Sequence, residues 1–169
     1  MNSQSGYIAA GTQQLHYLKW GSGRRLLLAF HGYGNDAGLF SPLKPYLEKE
    51  YTILSFDLPH HGKSAWAEGS LFTKKDLVNL VERLMAAHGV DKVSLAGYSM
   101  GGRMCLSIVE GLPASIDKVT LIAADGLTKN FYYYFFTRTL VGKKIFRHLM
   151  SRPAPYFTIM GLLAKGGLV

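Results

Sequence analysis

One short motif and its flanks constrain the fold of this chain more than any other part of the sequence. The apolar run Val93–Ala96 leads into Gly-Tyr-Ser-Met-Gly-Gly at positions 97–102, and a helix is predicted to follow. On such a sharp turn a serine hydroxyl is exposed, and close packing leaves little room for side chains two residues to either side. Gly97 and Gly101 occupy those two positions. The pattern therefore predicts that Ser99 is a nucleophile at the end of a buried strand.

Apolar strands alternate with amphipathic helices along the first 125 residues. We predict a hairpin and then four buried strands, at Tyr7–Ala10 with Gln14–Trp20, Leu26–Phe30, Thr52–Phe56, Val93–Ala96 and Lys118–Ala124. We predict three helices: one opened by Ser41-Pro42, one with a Thr73/Asp76 capping box and a stop at Gly89, and one over roughly Met100–Gly111. This order predicts an α/β fold with a mostly parallel sheet and helices on both faces.

Charge divides the chain into two segments. All 11 acidic residues and 12 of the 19 basic residues lie within residues 1–125, and the other 7 basic residues follow. We therefore predict a core over residues 1–125 and a second, basic and aromatic segment over residues 126–169. The single cysteine, Cys105, fits a reducing compartment, and we find no secretory signal and no apolar run of about 18 residues. We expect a cytoplasmic protein.

Three segments, in the right order, resemble the α/β-hydrolase superfamily. His-Gly-Tyr-Gly at 31–34 is similar to the family's loop after its third strand. Asp-Leu-Pro-His-His-Gly-Lys-Ser at 57–64 is similar to the loop after its fourth strand, with His60 where the family usually has glycine. The motif at 97–102 resembles the family's nucleophile elbow. The resemblance covers about residues 7–125.

The resemblance implies a role for several of these residues. Ser99 would be the nucleophile, and the backbone N–H groups of Met100 and Tyr33 would form the oxyanion hole. His31 would orient its own loop rather than act as the base, and Asp57 and His61 would fix loops in the same way. The implied activity is hydrolysis of an ester or thioester through an acyl-enzyme, with no cofactor and no metal.

The catalytic acid and base are harder to place. In this fold they follow the serine, acid first and histidine second. Asp125 ends the predicted strand 118–124 and is the candidate acid, although Asp-Gly also marks turns. His148, the only later histidine, falls in a basic helix predicted over Arg138–Met150. We count too few strands for the whole fold, and expect a fragment that stops before the last two strands and has little activity. The alternative is a non-catalytic module that retains the fold.

The segment after Asp125 allows three interpretations. The aromatic run at 131–136 and the basic helix after it fit the start of a cap over the active site, with aromatic side chains lining a hydrophobic pocket. Contact with a membrane surface through Lys143, Lys144 and the neighbouring apolar residues is the second interpretation. Nucleic-acid binding is the third, and we do not expect it. We prefer the cap, with a hydrophobic small-molecule ester or thioester as the partner. The sequence does not determine the oligomeric state.

Overall fold

A six-stranded sheet forms the centre of the first of two compact units. The computed structural model describes residues 3–125, 127 and 131–151, and the units are Met1–Leu127 and Thr128–Val169. The strands are β1 (Gln4–Ala10), β2 (Gln13–Trp20), β3 (Arg25–Phe30), β4 (Tyr51–Phe56), β5 (Val93–Tyr98) and β6 (Ile116–Ile122). Their order in the sheet is β1-β2-β4-β3-β5-β6. Both pairings of β2, with β1 and with β4, are antiparallel, and the remaining pairs are parallel.

Helices follow the parallel strands. They are α1 (Lys44–Leu47), α2 (Lys74–His88) and α3 (Met100–Gly111), with 3₁₀ helices at Ala37–Leu43 and Pro113–Ser115. The second unit contains α4 (Phe131–Arg138) and α5 (Leu140–Ser151). A mostly parallel sheet with helices on both faces confirms the predicted fold class. The Thr73/Asp76 capping box and the left-handed Gly89 that ends α2 are also confirmed.

Two hydrophobic clusters cover opposite faces of the sheet. Alternate residues of a strand point to opposite faces, so neighbours such as Leu27 and Leu28 belong to different clusters. The larger cluster packs the apolar faces of α2 and α3 against the sheet. The smaller cluster contains Phe40 of the first 3₁₀ helix, together with Leu27 and Ile53. Their packing holds the carboxyl ends of β3, β4 and β5 side by side.

Three sequence predictions are wrong in detail. The helix predicted to open at Ser41-Pro42 begins earlier, as a 3₁₀ helix capped by Asp36, whose carboxylate accepts the Gly38 amide at 2.7 Å. The strand predicted at Lys118–Ala124 is β6, whose residues are mostly exposed rather than buried, because among the described residues it pairs only with β5. The basic helix predicted from Arg138 is instead α5 from Leu140, because the Thr139 hydroxyl accepts the Gly142 amide at 2.9 Å and so caps a new helix.

Candidate active site

Ser99 lies on a strained turn between β5 and α3. Its φ of 49° and ψ of −114° lie outside the regions that residues with side chains prefer. Three backbone hydrogen bonds hold it there. The Ser99 amide donates to the Ile122 carbonyl at 3.0 Å, and the Ser99 carbonyl accepts the Gly102 amide at 2.9 Å and the Asp125 amide at 3.0 Å. The end of β6 and the loop after it thus brace the turn against relaxation.

Glycines allow the turn to pack closely. A Cβ on Gly97 would lie 2.7 Å from both the Cys105 sulfur and the Gly101 carbonyl oxygen. On Gly101 it would overlap the Phe30 carbonyl oxygen at the end of β3. Real Cβ atoms do not approach other atoms so closely, so the helix can reach β3 only with glycine at these positions. Cys105 is buried here, which raises the pKa of its thiol to about 12 and leaves it unreactive at neutral pH.

The loop after β3 passes directly beside Ser99. A Cβ on Gly32 would lie 2.8 Å from the Tyr98 ring and 3.2 Å from the Ser99 Cβ. The loop then turns, with Gly34 at a φ of 74° and the Asn35 amide donating to the Gly32 carbonyl at 3.2 Å. Gly32 therefore lies beside Ser99, and the next residue, Tyr33, has a ring that is 84% exposed.

Met100 supplies the other backbone amide that sequence reasoning singled out. It is the first residue of α3, where N–H groups have no acceptor within the helix. The dipole of α3 adds partial positive charge at the same end. Met100 directly follows Ser99 in the sequence, and Tyr33 directly follows Gly32, which lies beside Ser99.

His31 joins the loop after β3 to the loop after β4. Its side chain is fully buried, Nδ1 donates to the Gly32 carbonyl at 2.7 Å, and Nε2 accepts the Leu58 amide at 3.0 Å. Burial lowers the pKa of His31, outweighing the hydrogen bond to Gly32 that favours the charged form. A neutral imidazole with both nitrogens occupied is not available as a base.

Asp57 lies just after β4, and its hydrogen bonds hold the loop that follows this strand in place. Its buried carboxylate accepts the Ala37 amide at 2.5 Å, the Lys63 amide at 2.7 Å and Nδ1 of His16 at 2.8 Å. Desolvation opposes the charged form, but these hydrogen bonds outweigh it and hold the pKa of Asp57 below its ordinary value. Asp57 is therefore an ionised acceptor that ties three segments together.

The two histidines of the same loop differ in their surroundings. His60 is exposed and has a φ of 64°, so it adopts the left-handed conformation that the glycine usual at this position would adopt without strain. His61 is partly buried, and its Nδ1 donates to the Pro59 carbonyl at 2.8 Å. The His61 ring lies 5.1 Å from His31 and 5.5 Å from Tyr33, centroid to centroid.

Asp125 is near the turn through its backbone rather than its carboxylate. The side chain is exposed, and a carboxylate oxygen lies 3.9 Å from a guanidinium nitrogen of Arg103. Among the described residues, no hydrogen bond joins the Ser99 hydroxyl to a histidine. His148 belongs to α5 of the second unit.

Sequence reasoning missed His16, whose ring is 2% exposed. It lies on β2 opposite Tyr7 and bonds to Asp57 at the end of β4. The alternation of β2 could have placed His16 on an inner face, but its partner is 41 residues away and belongs to no common motif with it.

Two features are absent from the described part of the chain. No group of three or more histidine, cysteine or acidic side chains is arranged to hold a metal ion there. Within residues 3–125, 127 and 131–151, no helix is both long and apolar enough to cross a membrane.

Comparisons with known proteins show related sequences and a similar fold. A family model described as the alpha/beta hydrolase fold matches residues 25–153. An uncharacterized hydrolase of Bacillus subtilis is 33% identical over 107 residues, which are 63% of this chain and 39% of the relative. A pimeloyl-[acyl-carrier protein] methyl ester esterase of Legionella pneumophila is 36% identical over 111 residues, 66% of this chain and 42% of the relative.

The crystal structure of a bacterial membrane phospholipase A has a similar fold. It superimposes with a TM-score of 0.65 at 25% identity, over 80% of this chain and 45% of that one. The chain thus spans about two fifths of the length of these two curated relatives and 45% of this solved structure.

Proposed function

Because the chain belongs to the α/β hydrolase fold family, we propose that it is part of a serine hydrolase that cleaves an ester or thioester through an acyl-enzyme. The observation that carries this proposal is the strained turn at Ser99, braced by three backbone hydrogen bonds and packed against β3 through glycine. Strain of this kind persists only where the surrounding structure enforces it, and it concentrates at functional sites.

In the proposed reaction the Ser99 oxygen attacks the acyl carbon of the substrate. The Tyr33 and Met100 amides stabilise the negative charge that develops on the carbonyl oxygen, and loss of one such donor typically costs about 3 kcal/mol. The alcohol or thiol then leaves with a proton, and water hydrolyses the acyl-serine to release the acid. This route requires neither a cofactor nor a metal.

The choice of an ester rests on a relative. The Legionella pneumophila protein is named as a methyl ester esterase, and its identity with this chain reaches 36%. A serine at the nucleophile position is the chemistry that acyl transfer needs. We extend the proposal to thioesters because the same attack on an acyl carbon applies to both groups.

We propose that residues 126–169 begin a cap segment. The described part of α4 contains Phe131, Tyr134, Phe135 and Phe136, and no acidic residue follows Asp125 in the sequence. Aromatic side chains of this kind line sites for apolar ligands. We therefore expect the acyl group of the substrate to be hydrophobic.

Turnover by residues 1–169 should be slow. Asp125 remains the candidate acid, but its carboxylate lies near Arg103, and no histidine in the described residues hydrogen-bonds to Ser99. Without a base the serine remains protonated, and only residual catalysis by the oxyanion hole and by binding is expected. Rapid hydrolysis of a p-nitrophenyl ester that the Ser99→Ala substitution abolishes would contradict this expectation.

Labelling by a fluorophosphonate tests the proposal without depending on a histidine partner for Ser99. Adducts are mapped by mass spectrometry, with the exposed Ser3 as an internal reference. Because the oxyanion hole alone accelerates attack, Ser99 should be labelled at least about 100-fold faster than Ser3. Equal rates at the two serines would reject the hydrolase proposal and favour a non-catalytic module. This module is the second candidate because no histidine in the described residues hydrogen-bonds to Ser99.

A further inference from the structure

A second serine, far from Ser99 in the sheet, is hydrogen-bonded to a histidine. The Ser5 hydroxyl lies 2.7 Å from Nε2 of His16, and Nδ1 of the same ring lies 2.8 Å from the Asp57 carboxylate. Both distances are within the range in which a base activates a nucleophile and a third group orients the base. The serine, histidine and carboxylate thus form one continuous chain of hydrogen bonds.

The register of the hairpin brings these residues together. Tyr7 of β1 is directly opposite His16 of β2, and Ser5 lies two residues along β1, so its side chain points to the same face of the sheet. The Tyr7 and His16 rings are also in edge contact, with centroids 5.2 Å apart. Strand pairing and ring packing therefore fix the imidazole against the Ser5 hydroxyl.

The hydrogen bonds around Asp57 decide which nitrogen of His16 carries the proton. The carboxylate already accepts the Ala37 and Lys63 amides and is an acceptor only, so Nδ1 of His16 must donate to it. A neutral ring with its proton on Nδ1 has its lone pair on Nε2, where it can accept the proton of the Ser5 hydroxyl. This is the tautomer that a general base for the Ser5 hydroxyl requires.

Solvent reaches the serine of this hydrogen-bonded group but not its histidine or its carboxylate, as a reactive serine requires. His16 and Asp57 are each 2% exposed, whereas Ser5 is exposed on β1, which pairs only with β2 in the described residues. Three strands separate β1 from β5, the strand that ends just before Ser99. At the usual spacing between strands, Ser5 is therefore about 19 Å from β5. A small reagent can therefore reach Ser5 independently of Ser99.

We propose that Ser5 is a second nucleophilic serine, activated by His16 and Asp57, that takes small activated acyl or phosphonyl donors. With a fluorophosphonate, the Ser5 oxygen forms a bond to phosphorus, the phosphorus–fluorine bond breaks, and fluoride leaves. The hydroxyl proton passes to Nε2 of His16 and then to water. Ser5 lies within a regular strand rather than on an oxyanion turn, so one stable adduct forms without turnover.

The test is labelling of the Ser99→Ala variant by a small ethyl fluorophosphonate, so that the outcome does not depend on Ser99. Ser3 and Ser5 lie in the same tryptic peptide, 1–19, and fragmentation of that peptide gives their relative rates of labelling. General base assistance contributes about 100-fold or more at a complete site. We expect Ser5 to be labelled at least about 10-fold faster than Ser3, and a ratio near one would overturn the proposal.

Two further measurements separate activation from simple exposure. His16→Asn retains a donor for Asp57 but removes Nε2, and should bring the ratio of Ser5 to Ser3 labelling to about one. Because this buried substitution can impair folding, the second measurement is the same ratio for the Ser99→Ala protein in urea, where it should also fall to about one. A high ratio that survives unfolding would show that the local sequence, and not the histidine, makes Ser5 reactive, and would also overturn the proposal.

Discussion

At the scale of single residues, the site depends on backbone conformations that most side chains disfavour. Ser99 has a φ of 49° and His60 a φ of 64°, and both remain in these conformations because neighbouring hydrogen bonds and loops enforce them. The glycines at 97, 101 and 102 could be read from the sequence because their spacing around a serine has a steric reason. The link between His16 and Asp57 could not, because it depends on which strands become neighbours.

Gly101→Ala should destabilise the protein strongly. The added Cβ would overlap the Phe30 carbonyl oxygen, and backbone cannot rotate away as a side chain can. We expect the free energy of unfolding to fall by about 3 kcal/mol, as in severe overpacking. The matched control on the same helix is Gly111→Ala, whose Cβ would have side-chain atoms of Val78 and Lys74, and not backbone, as its nearest neighbours. If urea denaturation shows equal losses for the two variants, close packing of the turn on β3 is not what requires glycine.

Burial of His31 should make stability depend on pH. Its pKa is lowered from 6.5 in the folded protein, so between the folded pKa and about pH 6.5 the unfolded chain binds more protons than the folded chain. Stability contributed by the neutral ring is therefore complete above pH 6.5 and is lost as the pH falls towards the folded pKa. His31→Asn should reduce the loss of unfolding free energy between about pH 7 and pH 5, measured by urea titration.

The control for this pH dependence is His88→Asn at the end of α2. His88 is only partly buried, and its Nδ1 donates to the Leu84 carbonyl at 2.8 Å. The change of slope should be larger for His31→Asn than for this variant, because the His31 ring is the more deeply buried of the two. An unchanged slope in His31→Asn, or an equal change of slope in the two variants, would show that burial of His31 does not cause the effect.

At the scale of elements, local signals predicted helix ends well where a side chain supplies the cap. The Thr73/Asp76 pair and Gly89 determine both ends of α2, and α3 runs from Met100 to Gly111 as the sequence indicated. The sequence places the first helix too late, at Ser41-Pro42. Its cap is Asp36, and no apolar repeat of helical spacing follows that residue to mark a helix start. The apolar residues of β6 predict a buried strand. Whether a strand is buried depends on which elements pack beside it, and a single sequence does not specify these neighbours.

Thr73→Ala should weaken α2 by about 1 kcal/mol. The hydroxyl accepts the Asp76 amide at 3.2 Å, and the Asp76 carboxylate accepts the Thr73 amide at 3.0 Å, so the substitution breaks half of the capping box. Thr73→Ser retains the acceptor and should cost much less. Thermal unfolding followed by circular dichroism compares the three proteins, and equal stability of the alanine and serine variants would contradict the role of the cap.

At the scale of the whole molecule, the first unit exposes apolar surface at one edge of the sheet. Ile122 is 43% exposed and Val119 is 38% exposed, and a cavity of about 160 Å³ lies beside β6 on the face that also carries Leu27 and Ala96. In the described residues β6 has a strand on one side only. Edges of this kind pair with other chains.

Residues 1–169 should therefore self-associate at micromolar concentration. Replacing Ile122 with Glu places a charge on the exposed edge and should shift the sedimentation profile towards the monomer. Lys118→Gln on the same strand changes no apolar area and should leave the profile unchanged. A monomeric unsubstituted chain with a cooperative melt would show that the exposed edge does not drive association.

The most direct test of the account is a crystal structure of the protein with Ser99 modified by a fluorophosphonate. The account predicts that the phosphoryl oxygen accepts hydrogen bonds from both the Tyr33 and the Met100 amides, at about 2.7–3.1 Å from each nitrogen. A phosphoryl oxygen that points to solvent, or that only one of the two amides reaches, would contradict the assignment of Ser99 as the nucleophile of a hydrolase.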